Sequence, residues 1–562
     1  MRIRMTLEQA ASLLVLSLFM AGALFAEAGD PPARVARVSF ITGKVSLQPS
    51  GASDWSEASL NYPVTTGDRI YTDPNSQAEF DIGSTAVRAS ATTDLTMANL
   101  NDQFMQLGLG EGVIRVRVYE LLSGDSVEVD TPNGALTLLQ PGDYRVETYP
   151  DSGATFVIVN SGALEVSGGD LSEKVGSGQA VKLTGTDPIN VAFVSMPPPD
   201  AFDQWCGERD QRFASSASAR YVGRETPGSY DLDVNGTWDE HPTYGPVWYP
   251  SGVPAGWAPY RNGRWVWVEP WGWTWVESEP WGFAPFHYGR WVSVGLRWGW
   301  VPGPVARRPY YAPALVAFVG GPGFSIGIGV GGGAQGWFPL GPGEPFLPWY
   351  HYGGNYLRRV NVTNVTNITN ITNVNNIHYM NQTAATTVVS TETFRSGQAI
   401  NRQMIRVNPG QLARAEIIPH PETTPAASAL GGGRTVPNPV RAISRATIPA
   451  APRSDSSFER PPARTNAPAE RGMAGGPPQM SPRFVTRTPL PSPSPSFGAR
   501  QPAMQDHPGR PLEPNQVENL QAGKPAGPMR DKEVPSHPQK TSHEKAAPQR
   551  SSGSHADSGH KK

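Results

Sequence analysis

The 562-residue chain contains one cysteine, Cys206, and ten histidines. A single thiol excludes an internal disulfide, so the fold must rest on packing. His241, His287, His351 and His378 lie in segments that read as ordered, but they are too widely spaced for a metal site, and no metal or cofactor is expected. There is no HExxH, no GxSxG and no P-loop, and Cys206 has no evident histidine partner. The Gly-Ile-Gly-Val-Gly-Gly run at residues 327–332 lacks the helix and acidic residue of a dinucleotide loop. Carboxylates are plentiful, yet none stands out as a pair. The sequence therefore predicts no catalytic residues and a protein that is not an enzyme. A glycosidase whose two carboxylates carry no motif is the catalytic alternative. Long apolar runs are missing after the first thirty residues, because the best, from Ala314 to Ala334, is interrupted by glycine.

What is present is uneven. Gly and Pro number 60 and 57, concentrated in an aromatic block and in the C-terminal third. The formal net charge of -2 hides an asymmetry: residues 401–562 hold 22 Lys+Arg against 12 Asp+Glu, about +10, which leaves about -12 for residues 1–400. An acidic body carries a basic tail. At the N-terminus, Arg2 and Arg4 precede an apolar run from Ala10 to Ala26 and the small-x-small site Ala26-Glu27-Ala28. Residues 1–28 read as a secretory signal peptide, with an uncleaved membrane anchor as the alternative; either predicts export to the periplasm or cell surface. No cysteine follows the run, so a lipoprotein anchor is not expected.

Residues 35–194 are a succession of short period-two runs, among them Val38 to Leu47, Val113 to Val118, Tyr144 to Thr148 and Thr155 to Val159, separated by Gly, Asp and Asn. Such runs predict strands, and the region reads as an all-β domain, either a β-sandwich or a β-helical stack. Its landmarks are Gly43-Lys44-Val45, VTTGDRI from Val64 to Ile70, Ser76-Gln77-Ala78, Thr93-Asp94-Leu95, Gly108 to Gly112, VEVDTP from Val127 to Pro132, PGDYRV from Pro141 to Val146, Gly162 and Gly178-Gln179. In this order they resemble the FecR domain of bacterial envelope proteins. The resemblance implies an extracytoplasmic domain that, in the founding family, passes a transport signal to a sigma factor. Those regulators carry a cytoplasmic segment and a membrane span ahead of the domain. Here about thirty residues precede it, so binding or scaffolding is the expected use, and signal sensing linked to a sigma factor or iron uptake is the alternative.

Residues 195–237 form a connector, with a short helix expected between Asp200 and Tyr221 and no other before residue 400. Residues 238–353 form a Trp-rich module that holds, between Trp238 and Trp300, twelve of the sixteen tryptophans, with GWAPYRNGRW at Gly256 returning as GFAPFHYGRW at Gly282. The pattern predicts two hairpins. The first runs from Arg264 to Val268, turns at Glu269 to Gly272 and returns from Trp273 to Val276; alternation puts Trp265 and Trp267 on one face, where pairing with Trp273 and Trp275 across the turn would make an aromatic ladder. The second runs from Trp291 to Val294 and from Trp298 to Trp300. The stretch resembles a Trp-rich module of unknown function that follows FecR domains in bacterial proteins.

Two readings of these indoles stand side by side. In one they build the core, with Arg264 and Arg290 stacked on them. In the other some stay exposed as a platform for sugar faces, with Tyr260, Trp265, His287 and Trp291 as ligand-binding candidates. The partners implied are peptidoglycan, a surface glycan or an envelope protein. Nucleic acid is not expected, since the block has no lysine and the body is acidic. Residues 354–420 hold the three-residue repeat from Asn361 to Ile377 and short elements, a strand at Thr386 to Phe394 and a helix at Pro409 to Ile417. A strand packed closely against another backbone on its glycine face is expected at Phe324 to Val330. Residues 421–562, without Trp or Tyr, read as a disordered, Pro-rich basic tail, either inert or reaching an anionic wall or membrane surface.

Overall fold

Alternating runs between Ala36 and Val194 fold into seventeen strands of one large, curled, mostly antiparallel sheet whose two halves form two layers, in keeping with the all-β expectation. These strands belong to a computed structural model that describes residues 29–295, 297–320, 333–362, 378–431, 433–439 and 484–529. The signal peptide, the Phe324 to Val330 strand and all but the first two residues of the Asn361 to Ile377 repeat lie outside the described residues. No helix among the described residues is long and apolar enough to cross a membrane.

The layers are joined by one long strand, Phe104–Val118. Its first half pairs with Thr93–Leu100 and, in parallel, with Ser126–Thr131; its second half pairs with Thr85–Ala89 and Gly142–Tyr149. Between the halves lies Gly112, whose φ of +93° suits glycine and where a Cβ would lie 2.4 Å from Thr92 O. Alternation then turns one face of each layer inward. Val87, Ile114, Val116, Val146 and Val157 share a buried core with Leu95, Leu107, Val129, Leu136 and Val166. Each fully buried aliphatic of this kind contributes about 1.5–3 kcal/mol.

The outer face of the first layer is charged. Glu79 lies opposite Arg88, Arg88 opposite Arg115, and Arg115 opposite Arg145, so three adjacent strands present arginines side by side. Like charges directly opposite one another are unfavourable unless covered by the opposite sign. The cover is the helix Ala201–Ala214, started by a reciprocal capping box between Asp200 and Asp203. Nine residues from Asp200 to Arg209 rise about 14 Å, which matches about 14 Å for three strand spacings, so the helix crosses the strands one step at a time. Asp200 meets Arg145 at 2.9 Å, Asp203 meets Arg145 at 2.8 Å and Arg115 at 3.0 Å, and Asp210 meets Arg88 at 2.7 Å. Burial opposes ionisation of Glu79, but Arg209 and Arg88 overcome it and hold the carboxyl far below its ordinary range. Cys206 is buried on the same helix.

Further helical segments precede residue 400, including Gly354–Val360 and Thr391–Arg395, so the expectation of a single one is corrected. They are short, four to seven residues, and a 3.6-residue period has no room to show in them. The expected strand at Thr386 to Phe394 splits into the strand Thr387–Ser390 and the turn of helix that follows it. The expected helix at Pro409 to Ile417 splits into Pro409–Leu412 and the strand Glu416–Ile418. These strands flank Val316–Gly320 and Ala334–Pro339 in a four-stranded sheet.

The disordered-tail expectation does not hold where the tail is described. Thr435–Val436 adds to the edge strand Trp55–Glu57, and residues 484–529 contain the helices Phe497–Asp506 and Pro514–Gln521. Arg500 and Met504 are buried, and Arg500 pairs with Glu269 at 2.7 Å in the turn of the first Trp hairpin. A segment too poor in apolar residues to build its own core borrows one from the body. The buried cluster is continuous from the β layers through the Trp module to Leu512.

Candidate functional site

The first hairpin pairs Gly263–Val268 with Gly272–Glu277 and forms the expected aromatic ladder, Trp265 opposite Trp275 and Trp267 opposite Trp273. The rings meet edge to face, at 5.5 Å and 70° and at 5.4 Å and 86°. That geometry sets a ring's positive edge against its neighbour's negative face. The second hairpin, Arg290–Val294 with Arg297–Val301, sets Trp291 opposite Trp300 and joins Gly236–His241 and Gly245–Pro250 in a separate four-stranded sheet.

None of the four ligand-binding candidates reaches the surface. Tyr260, Trp265 and His287 are 0% exposed and Trp291 is 1% exposed. Trp265 is enclosed by Phe318, Trp337 and Phe394 at 5.3–5.5 Å as well as by Trp275. Trp291 packs on Trp257 and Phe286, and its indole N–H donates to Pro285 O at 2.8 Å. Tyr260, at a positive φ of 62°, donates its hydroxyl proton to Phe286 O at 2.7 Å and accepts from the Leu315 N–H at 3.0 Å. His287 lies between Phe283 and Tyr311, and its Nδ1–H donates to Ala312 O at 2.8 Å. Burial lowers its pKa to about 3, so it is a neutral packing residue. The exposed sugar platform built on these four is therefore corrected: a hairpin with few aliphatics puts both of its faces inside. Arg264 and Arg290, expected over ring faces, donate instead to Ser59 Oγ and to Glu344 O and Asn361 Oδ1. Of the twelve indoles in the block, Trp238, Trp257 and Trp298 alone are half-exposed.

The surface feature that the module does build is a cleft beside the second hairpin, with a volume of about 510 Å³. Its walls include Tyr288, Trp300, Tyr310, Arg307, Arg308 and Arg359. Buried packing sets the wall: the Trp300 indole N–H donates to Tyr288 O at 2.8 Å, and Arg308 is held at 2.6 Å by Asp125, which also binds Arg34 at 2.6 Å. Arg359, on the helix Gly354–Val360, is exposed. The sequence signal for this cleft is the proline-bracketed basic pair in Pro302 to Pro309, which periodicity arguments pass over because the segment forms neither strand nor helix. No group of His, Cys, Asp and Glu able to hold a metal ion occurs among the described residues.

Residues 229–344 match DUF6600, a family of unknown function. The match takes in both Trp hairpins, most of the cleft wall and Glu344, which lies beside Arg290. Two crystal structures of a "putative anti-sigma factor" from Parabacteroides distasonis ATCC 8503, at 1.65 and 2.50 Å resolution, are 15% and 16% identical to the chain over 23% of its length, with a TM-score of 0.20. The chain spans 60% of the length of those proteins. Among curated proteins none matches.

Proposed function

We propose that the chain is an exported, non-catalytic protein that binds at the cell envelope, with a FecR-like β body as scaffold and the Tyr288–Tyr310–Arg359 cleft as its ligand site. The cleft carries this reading. Aromatic side chains offer flat apolar faces to sugar rings, and guanidinium groups take carboxylate or phosphate in paired hydrogen bonds. That combination suits an anionic glycan such as peptidoglycan or a surface polysaccharide. Hydrolysis of a glycan needs two carboxylates flanking the bond, about 5–9.5 Å apart. The cleft lining contains no aspartate or glutamate. The buried indoles have a supporting part here: they fix the wall on which the ligand rests.

The test is retention on purified peptidoglycan and on an anionic surface polysaccharide. Arg359→Ala and Tyr310→Ala are expected to lower affinity at least tenfold each, while Trp298→Ala, away from the cleft lining, leaves it unchanged. Absence of retention by the intact chain, or retention indifferent to both substitutions, overturns the reading.

A further inference from the structure

The outer face of the second layer is acidic, and it too is covered, by a short piece of the tail that bridges at Val485 and bends at Arg487 and Thr488. Glu128 and Asp130 lie two residues apart on Ser126–Thr131, with Gln106 opposite Glu128 and Gly108 opposite Asp130 on the long strand. Glu165 lies two strands away, on Ala163–Gly168. Residues Phe484 to Thr488 run across this face. The Val485 N–H donates to Thr131 O at 2.9 Å. The Arg487 and Thr488 N–H groups both donate to Glu128 Oε1 at 3.1 Å, the Thr488 hydroxyl donates to Glu128 Oε2 at 3.0 Å, and Gln106 Nε2 donates to Thr488 O at 2.9 Å. Arg487 reaches Glu165 at 3.2 Å.

Two features mark this face as a receptor for a peptide. The recognition is of main chain: one carboxylate takes two successive backbone N–H groups, and a glutamine amide takes the carbonyl between them and the next residue. Charge-assisted bonds of this kind are about twice as strong as neutral ones. The pockets are shaped by missing side chains. A Cβ on Gly108 would lie 2.8 Å from the Phe484 ring, and the three nearest atoms to that point all belong to Phe484; a Cβ on Gly168 would lie 2.9 Å from Val485. Burial, with Glu128 beside it, also pushes Asp130 up to about 9.

We propose that this face is a binding site for a short segment of the form aromatic, β-branched, any residue, basic, hydroxyl, bridged at its second residue and bent at its last two, filled by the chain's own Phe484 to Thr488 and able to take the same segment from a second copy of the chain. Residues 440–483 separate the segment from the preceding described residue. Forty-four residues can span up to about 150 Å when extended, enough to reach a neighbouring molecule. The proposal is independent of the glycan cleft, which shares no residue with it.

Complementation between two full-length chains tests it. The first carries Phe484→Ser and Val485→Ser, which disable the segment and spare the face. The second carries Gly108→Leu, which fills the Phe484 pocket and spares the segment; Gly108→Ala is the milder version, placing a single methyl against the ring. Light scattering is expected to find each alone as a monomer and their mixture as a 1:1 dimer. A labelled peptide of residues 482–491 is expected to bind the first chain at least tenfold more tightly than the second. Circular dichroism melts close to the parent confirm that both variants fold. Peptide binding without a mixed dimer overturns the second copy as occupant, and equal peptide binding by both chains overturns the site itself.

Discussion

Trp265 and Trp291 are both buried, but their indole N–H groups differ. That of Trp291 donates to Pro285 O at 2.8 Å, whereas that of Trp265 is buried with no hydrogen-bond partner among the described residues. Replacing either by phenylalanine removes the same volume and leaves a similar void, so the packing cost is close to common. The polar consequences have opposite sign. Trp291→Phe gives up a buried hydrogen bond and leaves a carbonyl without its donor, while Trp265→Phe removes a donor that was costing about 1–3 kcal/mol by being unpaired. Trp291→Phe is therefore expected to destabilise by about 1–3 kcal/mol more than Trp265→Phe. Guanidinium unfolding of the two variants, followed by far-UV circular dichroism at pH 7, measures the difference directly if their m-values agree. Equal costs, or a larger cost for Trp265→Phe, would refute the account of the two indoles. Truncation to alanine is a harsher matter: about 3–5 kcal/mol for either. Loss of glycan binding in such a variant would report unfolding and not a broken contact.

Arg88, 1% exposed and paired with Glu79 and Asp210 at 2.7 Å each, is expected to cost about 3–5 kcal/mol as Arg88→Met, read as a lower denaturation midpoint, because the buried Glu79 and the half-buried Asp210 both lose a partner. The pKa of His287, lowered by burial from 6.5 to about 3, means that the unfolded chain takes up a proton first as pH falls. Stability is expected to decline from about pH 6.5 toward pH 3 by an amount on the order of 5 kcal/mol, and His287→Asn should flatten that limb of a Tm-against-pH curve. Glu277 works the other way: burial raises its pKa from 4.5 to about 8, so stability present below pH 4.5 is lost as pH rises toward 8, and Glu277→Gln should flatten the alkaline limb.

Period-two alternation and turn residues mark strands of the β body such as Val113 to Val118 and Tyr144 to Thr148, and the same alternation puts Trp265 and Trp267 on one face of a hairpin. The register is not legible, because a turn at Glu269 to Gly272 would set Val268 against Trp273, whereas Val268 lies opposite Gly272. Burial of the indoles was not legible, because a Trp-Val-Trp-Val run has the same alternation whether one face or both are inside. What closes the second face on Trp265 comes from Phe318, Trp337 and Phe394, far along the chain, and no local pattern announces them. The tail was misread for a related reason. Its composition states that it cannot fold alone, and it does not; Arg500 is buried against Glu269, and Phe484 against a bare glycine of a strand almost four hundred residues away. The cleft, built from a Pro-rich loop, carries no periodicity at all.

The charge asymmetry of the sequence takes on a specific meaning in this arrangement. An acidic body joined to a basic tail invites the idea of a tail reaching outward to an anionic surface, yet part of its positive charge is already matched within the chain. Arg487 meets Glu165, Arg500 meets Glu269, and Arg434 meets Glu57 at 2.7 Å. The three pairs differ in strength for a physical reason. Arg434 and Glu57 are 80% and 50% exposed, so water and salt screen their attraction and the pair contributes little. Arg500 is 3% exposed and Glu269 24%, so water and salt screen that pair much less. Rising ionic strength should therefore loosen the contact at residue 434 first and the contact at residue 500 last. Limited trypsin digestion across a salt series reads that order from the cleavage after Arg434, Arg487 and Arg500; simultaneous release of all three would mean that the tail docks as one cooperative unit and that its charge pairs do not act separately.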